Sequence, residues 1–568
     1  MMRRRYAIAI FVVVLAFFGV FFIWPIATTV RGGLMLDGRF SLEFVAAVFR
    51  NPVYVEALLN SLAIAVGTTL LVSLISLPLA WLADRYDFPL KKTLGAMVLV
   101  PMILPPFVGA IGMRQILGRY GALNAVLSHL GVLADGEWID WLGGGRFWGV
   151  VLLESLYLYP ILYLNATAAL ANIDPAMNEA AENLGAGGLR KFFRVTLPLM
   201  MPGLFAGGTI VFIWSFTELG TPLMLDYTRV TSVQIFNGIK EIGSENPFPY
   251  ALVVVMLAAA LLLYGTSKLL FGRRAHAMIA KATVAATARR VRGLKGALVA
   301  LPFLVVICAA ILPHIGVVLV SISSDWYRSV VPSQYTLDHF AEALGHPMTV
   351  GSITNSLKYA GMAVVINLTL GVLIAWVVIR SDLPGRGLLD ALAMMPLAVP
   401  GLVIAFGYLA MTQQGEALAW LVGDPRDPNP IAILTIAYAV RRMPYVVRSA
   451  SAGLQQTSVT LEEAAANLGA GAGHTLRRVT LPLISANLLA GGLLAFSFAM
   501  LEVSDSLMLA QKVQDYPITK AIFDLFQILG DGRFLASALG VWAMLLLIVT
   551  IVGASLLLGR RLGALFRV

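Results

Sequence analysis

Glu179-Ala180-Ala181-Glu182-Asn183-Leu184-Gly185-Ala186 and Glu463-Ala464-Ala465-Ala466-Asn467-Leu468-Gly469-Ala470 are one segment written twice in this chain of 568 residues. In each copy the same interval separates the glycine from a second block, Val195-Thr196-Leu197-Pro198 in the first and Val479-Thr480-Leu481-Pro482 in the second. The matches continue outward. Asn60-Ser61-Leu62 returns as Asn355-Ser356-Leu357, Ala80-Trp81 as Ala375-Trp376, and Arg85 as Arg380. Pro89 returns as Pro384, Pro101 and Pro105 as Pro396 and Pro400, Pro160 as Pro444 and Glu218 as Glu502. The offset falls from 295 to 284 between these blocks, so the first half carries about eleven extra residues near Gly118–Gly145, in a loop. A self-match of this length is a duplicated domain.

Around the duplicated segments the chain is strongly apolar. Hydrophobic residues make up 59% and charged residues 13%, and the mean hydropathy is +0.83. A soluble domain carries about 25% charged residues. A helix needs roughly 20 apolar residues to cross the hydrocarbon layer, and backbone amides in lipid must be bonded internally. The runs are far longer than barrel strands, so the expected fold is an all-α membrane protein. Six spans are expected in the first half, at 6–30, 55–83, 93–117, 147–172, 201–226 and 249–271. Six more fall at 296–321, 352–379, 388–412, 430–453, 485–509 and 536–559. With an even number per half, the two repeats share one orientation, related by a two-fold along the membrane normal.

The net charge of +10 does not indicate nucleic acid. Its clusters, Arg3-Arg4-Arg5, Lys91-Lys92, Arg273-Arg274, Arg289-Arg290 and Arg560-Arg561, stand where spans end, as the positive-inside bias requires. Both termini and a basic linker at 273–295 are thereby expected on the cytoplasmic side. The apolar stretch after Arg5 is about twice the length of a signal-peptide core and reads as an uncleaved first span. Cys308 is the only cysteine, which excludes an intrachain disulfide, and is expected to be a small core residue.

The duplicated segments each read as a short helix, a break and a lead into the next span. Asp174 and Ser458 are placed to cap those helices, with Pro175 at the first position. Gly185 and Gly469 stand where a left-handed residue ends them, and Pro198 and Pro482 restart the chain as it enters the bilayer. These segments resemble the EAA loop of the permeases of bacterial binding-protein-dependent ABC importers of type I. The resemblance covers essentially the whole chain. It implies a first repeat at 1–272 with its loop at 174–198, and a second at 296–568 with its loop at 458–482. It also implies that Glu179, Ala180, Ala181 and Gly185, with Glu463, Ala464, Ala465 and Gly469, couple the permease to ABC ATPase subunits, expected as a homodimer. Other partners would be a periplasmic or extracellular solute-binding protein and the bilayer of the bacterial inner (plasma) membrane. Fusion of both halves in one chain is most like the ferric-iron and thiamine permeases, with some phosphonate importers close behind. Glu218-Leu219-Gly220-Thr221-Pro222 and Leu158-Tyr159-Pro160 look most like the iron group. A small organic solute stays open as the alternative cargo, and an ion-gradient secondary transporter is the distant one.

No Gly-x4-Gly-Lys-Ser/Thr occurs, so no P-loop holds a nucleotide. The chain is read as a transport subunit and not an enzyme, with ATP used by a separate chain and no cofactor bound here. The histidines, including His129, His314, His339, His346 and His474, show no metal-ligand spacing, and no catalytic nucleophile, base or metal cluster converges. Glu218 and Glu502 sit within the expected fifth spans. A charge near the bilayer centre costs roughly 2.5–3.5 kcal/mol, so each must face protein or water. Two readings stay open: they line a cation pathway, or they are buried and fix packing. Arg441, Arg442 and Arg448 lie in or near the fourth span of the second half, where the first half has Tyr157, Leu158 and Leu164. Arg441 either pairs with Glu502 or lines an anion-attracting route. Pro101, Pro105, Pro106, Pro396 and Pro400 fall inside the third spans, as moving or fixed kinks.

Overall fold

The computed structural model describes residues 4–36, 38–102, 105–134, 136–143, 146–242, 247–271, 288–424 and 427–558. Most of the basic linker, Arg3, Gly144-Gly145 and Arg560-Arg561 lie outside the described residues. The principal helices of the first repeat are α1 (Arg4–Leu34), α2 (Pro52–Arg85), α3 (Lys91–Met97), α4 (Pro106–Leu117), α5 (Phe147–Ala171) and α6 (Pro175–Asn183). They are followed by α7 (Leu197–Thr217), α8 (Gly220–Met224), α9 (Thr231–Ile242) and α10 (Pro247–Phe271). The second repeat runs α11 (Gly293–Ser321), α12 (Thr349–Arg380), α13 (Arg386–Met394), α14 (Gly401–Met411), α15 (Ile431–Gln456) and α16 (Val459–Asn467). It closes with α17 (Leu481–Met500), α18 (Ser504–Leu509), α19 (Ile518–Gln527) and α20 (Gly532–Leu558).

Among the described residues nine helices are long and apolar enough to cross a membrane, and two bent pairs raise the number to eleven. The twelfth expected span, α15, has 26 residues, enough to cross. Arg441, Arg442 and Arg448 lower its apolarity, yet it packs against both α12 and α17. Val372, Ala375 and Trp376 of α12, Ala450 and Leu454 of α15 and Ile484 of α17 form the buried centre of that trio.

The third spans are not single kinked helices. In the second repeat α13 runs through a 3-10 turn at Met395–Leu397 and stops, and α14 leaves at 98°. Pro400 has no N–H to continue the ladder and disfavours helix in the residue before it. The fifth spans are also broken. Helix α7 stops at Thr217 with Glu218 in extended backbone, and α17 stops at Met500 two residues before Glu502. Both glutamates therefore lie in breaks that α8 and α18 follow, and not inside a continuous helix.

The chain forms two compact units that do not coincide with the two sequence repeats. One unit comprises the described residues of Met1–Tyr54, Gln234–Leu257 and Ala341–Leu565, and the other those of Val55–Val233 and Ala258–Phe340. Each unit takes its first long helix from the opposite repeat. In one, α1 of the first repeat lies against α12, α13 and α14 of the second. In the other, α11 of the second repeat lies against α4 and α5 of the first.

Glycines at matched positions make both crossings. A Cβ at Gly112 would stand 1.8 Å from Pro313 O of α11, and one at Gly407 2.3 Å from Pro25 O of α1. Small residues let membrane helices approach to backbone contact. Cys308, expected in the core, lies on the exposed face of α11. The reason is the helical period, which turns it away from the face carrying Ile307, Ala310 and Pro313.

The repeated Asn-Ser pair has a structural task in each unit. Ser61 Oγ accepts from Thr231 N at 2.9 Å, while Asn60 Nδ2 donates to Arg229 O at 3.0 Å. Ser356 Oγ accepts from Ile518 N at 2.7 Å, while Asn355 Nδ2 donates to Gln514 O at 2.7 Å. The second span of each repeat thereby holds the first turn of α9 or α19, where helical N–H groups lack partners of their own.

Candidate functional site: two coupling loops and a buried charge network

The duplicated loops share their backbone almost bond for bond. Helix α6 starts at Asp174, whose Oδ1 accepts from Ala176 N at 2.9 Å. Helix α16 starts at Ser458, whose Oγ accepts from Thr460 N at 3.3 Å. Both end in a Schellman motif. Gly185 has φ +78° and Gly469 φ +84°, the left-handed region that a Cβ disfavours. Gly185 N bonds Glu182 O at 2.9 Å and Ala186 N bonds Ala181 O at 2.9 Å. Gly469 N bonds Ala466 O at 3.0 Å and Ala470 N bonds Ala465 O at 3.0 Å. Each loop then makes a wide helical turn, Phe192–Thr196 or Leu476–Thr480, directly before α7 or α17. Such π turns are rare and concentrate at functional sites.

The exposed face of these loops is apolar at its tip. Glu179, Ala180, Glu463 and Ala464 are exposed, whereas Ala181 is buried and Ala465 half-buried, turned toward the body. Leu184 is 87% and Leu468 89% exposed. Met177 and Leu461, one turn into each helix, are about half exposed. Sequence reasoning emphasised the alanine face and passed over these leucines. Their repetition between Asn and Gly in both copies was the available signal, since large apolar side chains at a solvated tip mark an interaction surface.

The charged residues of the second repeat converge. Arg441 Nη1 bonds Glu502 Oε1, Arg442 Nη2 bonds Glu502 Oε2, and Arg441 Nη1 lies 3.5 Å from Asp505 Oδ2. Glu502 is 3% and Asp505 0% exposed. Gly401 makes room, since a Cβ there would meet the Arg441 guanidinium at 2.1 Å. Ser506 Oγ and Thr519 Oγ1 both donate to Glu502 O, and Tyr438 Oη shares a hydrogen with Ser506 Oγ at 2.6 Å. Two arginines and two carboxylates make a charge-balanced cluster, as ions removed from water require. Arg448 stands apart, exposed, 3.7 Å from Asp390 Oδ1.

The first repeat builds a different centre at the matching place. Glu154, where the second repeat has Tyr438, is 3% exposed and accepts from Ser215 Oγ. Glu218 Oε1 accepts from Thr221 N at 3.2 Å, and its carbonyl accepts from Ser232 Oγ at 2.5 Å. Glu154 was missed in the sequence because it lies in a span whose other residues are almost all apolar. A lone acid in such a span is itself the signal.

The chain matches one family twice, over residues 76–276 and 367–563: the binding-protein-dependent transport system inner membrane component. It is 27% identical to the ferric transport system permease protein FbpB of Actinobacillus pleuropneumoniae, over 87% of this chain and 70% of that protein. It is 30% identical to the molybdenum transport system permease protein ModB of Haemophilus influenzae, over 34% of this chain and 82% of that one. It is 29% identical to the sulfate transport system permease protein CysT of Escherichia coli, over 40% of this chain and 81% of that one. Among solved structures, a bacterial ABC transporter that imports the acidic polysaccharide alginate aligns at a TM-score of 0.37 and 16% identity, covering 46% of this chain and 95% of that chain. Two matched regions on a duplicated, multi-pass helical chain place it in one family: it belongs to the inner membrane components of binding-protein-dependent transport systems, as a permease with both repeats in one polypeptide.

Proposed function

We propose that this permease imports ferric iron, taking it from a periplasmic solute-binding protein and driven by a pair of ABC ATPase subunits docked on 174–198 and 458–482. The observation that carries the docking is the pair of loops with one backbone and a leucine more than four-fifths exposed at each tip. An ATPase dimer offers two equivalent grooves, and two equivalent loops are what it would receive. Both termini then lie on the cytoplasmic side with the loops. ATP-driven closure of the ATPase pair would pull the loops together and bias the spans toward the outward-open state. The cargo gains passage through its differential affinity for the two states.

Ferric iron is supported by the similarity to a two-repeat ferric permease along most of the chain, whereas the molybdenum and sulfate relatives match about one repeat. The chemistry agrees. Arg441 and Arg442 are both engaged by Glu502, and the first repeat presents Glu154 and Glu218, suited to a cation.

The test is uptake of radiolabelled ferric iron by iron-starved cells with and without the gene. Loss of energy-dependent uptake, restored by the wild-type gene, is expected. Burying a leucine is worth about 1.5–3 kcal/mol, so Leu184→Asp with Leu468→Asp should abolish restoration while the chain still reaches the membrane. Unchanged iron uptake in the deletion strain overturns the cargo and moves it to thiamine, a phosphonate or another small organic solute. Full restoration by the double leucine variant overturns the docking surface.

A further inference from the structure

The two coupling loops are alike in backbone and fastened by different chemistry. Arg380, the last residue of α12, has a side chain only 7% exposed. Its Nε donates to Glu462 Oε1 of α16 at 3.2 Å. Its Nη2 donates to Leu454 O at 2.8 Å and Thr457 O at 2.9 Å, the carbonyls that end α15. Thr480 Oγ1, at the foot of α17, donates to the same Glu462 oxygen at 3.2 Å. One planar guanidinium, charged at every accessible pH, thereby joins the ends of α12 and α15 to the coupling helix. Through Glu462 it reaches α17 as well.

The first repeat keeps the arginine and loses the acceptor. Arg85 ends α2 as Arg380 ends α12, but Asn178 aligns with Glu462, and the carboxylate that feels Arg85 is the exposed Glu182 further along the loop. The Arg85 guanidinium lies over the Trp81 ring at 5.3 Å. The ion pair of the first loop is internal: Lys191 Nζ bonds Glu182 Oε1 at 2.5 Å. It ties the loop to itself, and the second loop has Thr475 and Ala466 at those positions.

We propose that Arg380 is a positioning residue that makes the second coupling loop a rigid extension of the membrane helices, while the first loop hinges as a unit, so that the two loops transmit force unequally. The transmission part rests on the reading of these loops as ATPase docking elements; the difference in rigidity does not. Glu462 is distinct from the loop's exposed Glu463: it faces inward, with 11% of its side chain exposed, and serves the permease's own helices.

The rigidity is read from amide hydrogen exchange of the purified full-length chain in lipid nanodiscs, with neither ATPase nor solute present. Residues 459–467 should exchange at least about tenfold more slowly than 175–183, because their opening must break the clasp. Arg380→Met and Glu462→Gln should each remove most of that difference, with α12 and α15 keeping their protection. Glu462→Gln is nearly isosteric, so it serves if Arg380→Met fails to fold. Asn178→Glu should slow the first loop by giving Arg85 a carboxylate. Equal exchange of the two loops in the wild type, or no response to Glu462→Gln, overturns the clasp. Transmission is read separately, in cells, from uptake of the cargo. Glu462→Gln should lower the maximal rate severalfold at an unchanged half-saturating concentration, and Arg380→Lys should lower it less than Arg380→Met does. Altered exchange with an unaltered maximal rate overturns transmission and leaves the clasp standing.

Discussion

Replacing Glu502 by Gln is the sharpest probe of the second-repeat charge network. Glu502 is 3% exposed and holds Arg441 and Arg442 on its two oxygens. The substitution keeps the shape and removes one negative charge. Asp505 remains 3.5 Å from Arg441, so Arg442, with 10% of its side chain exposed, becomes the unmatched ion. Breaking a buried pair from one side costs about 3–5 kcal/mol, whereas replacing both partners by apolar groups is near neutral. Glu502→Gln should therefore destabilise the chain by about 3–5 kcal/mol. Adding Arg442→Met should return most of that loss, for a coupling energy of at least about 2 kcal/mol. Reversible unfolding of the purified chain in mixed micelles, followed by tryptophan fluorescence, closes the double-mutant cycle. Additive effects, with the double variant as unstable as the sum of the two singles, would refute the idea that Arg441, Arg442, Glu502 and Asp505 act as one neutral unit.

Two further outcomes follow from the packing. Alanine at Gly112 must move a backbone oxygen from 1.8 Å and alanine at Gly407 one from 2.3 Å; overpacking of this kind costs about 1–3 kcal/mol. Thermal midpoints should fall in the order Gly112→Ala below Gly407→Ala, while Gly361→Ala, with nothing within 4 Å of its new Cβ, should be unchanged or higher. Ser356→Ala leaves the Ile518 N–H without its acceptor, which costs about 1–3 kcal/mol for a buried group. Faster amide exchange confined to the start of α19 is the expected signature, and unchanged exchange would show that another acceptor replaces the hydroxyl.

The spans and the repeat were legible because hydropathy and spacing are local properties. Even α15, the least apolar span, falls on the fourth span expected in the second half, at 430–453. The breaks at Glu218 and Glu502 were not legible. A window centred there averages over apolar residues on both sides and reports one span, while the backbone is held open by groups distant in sequence, Ser232 and Thr519. The prolines of the third spans were visible, but the 98° turn between α13 and α14 is set by what α14 packs against. The exchange of α1 and α11 between repeats is wholly tertiary. Gly112 and Gly407 stood at matched positions, yet a glycine in a span announces close approach without naming the partner. In the coupling loops the sequence went furthest, because caps and Schellman turns are closed by residues within five positions of each other.

The asymmetry is possible because the two repeats differ in sequence. In a permease assembled from two identical chains, every substitution appears twice, so an arginine placed in one half faces its copy in the other. Here Arg441 and Arg442 stand opposite Tyr157 and Leu158 in the repeat alignment, Asp505 opposite Thr221, Tyr438 opposite Glu154, and Glu462 opposite Asn178. The second repeat has spent its acids on its own arginines and on clasping its loop, which suits a part that must stay rigid. The first repeat retains Glu154 and Glu218 without arginine at the matching positions, and its loop carries the Lys191–Glu182 pair in place of the clasp. On the proposed reading, a cationic cargo would meet carboxylates in the same repeat whose coupling loop hinges. Transferring Arg441 and Arg442 to positions 157 and 158 would abolish that division, and it should abolish cation uptake before it disturbs the docking of either loop.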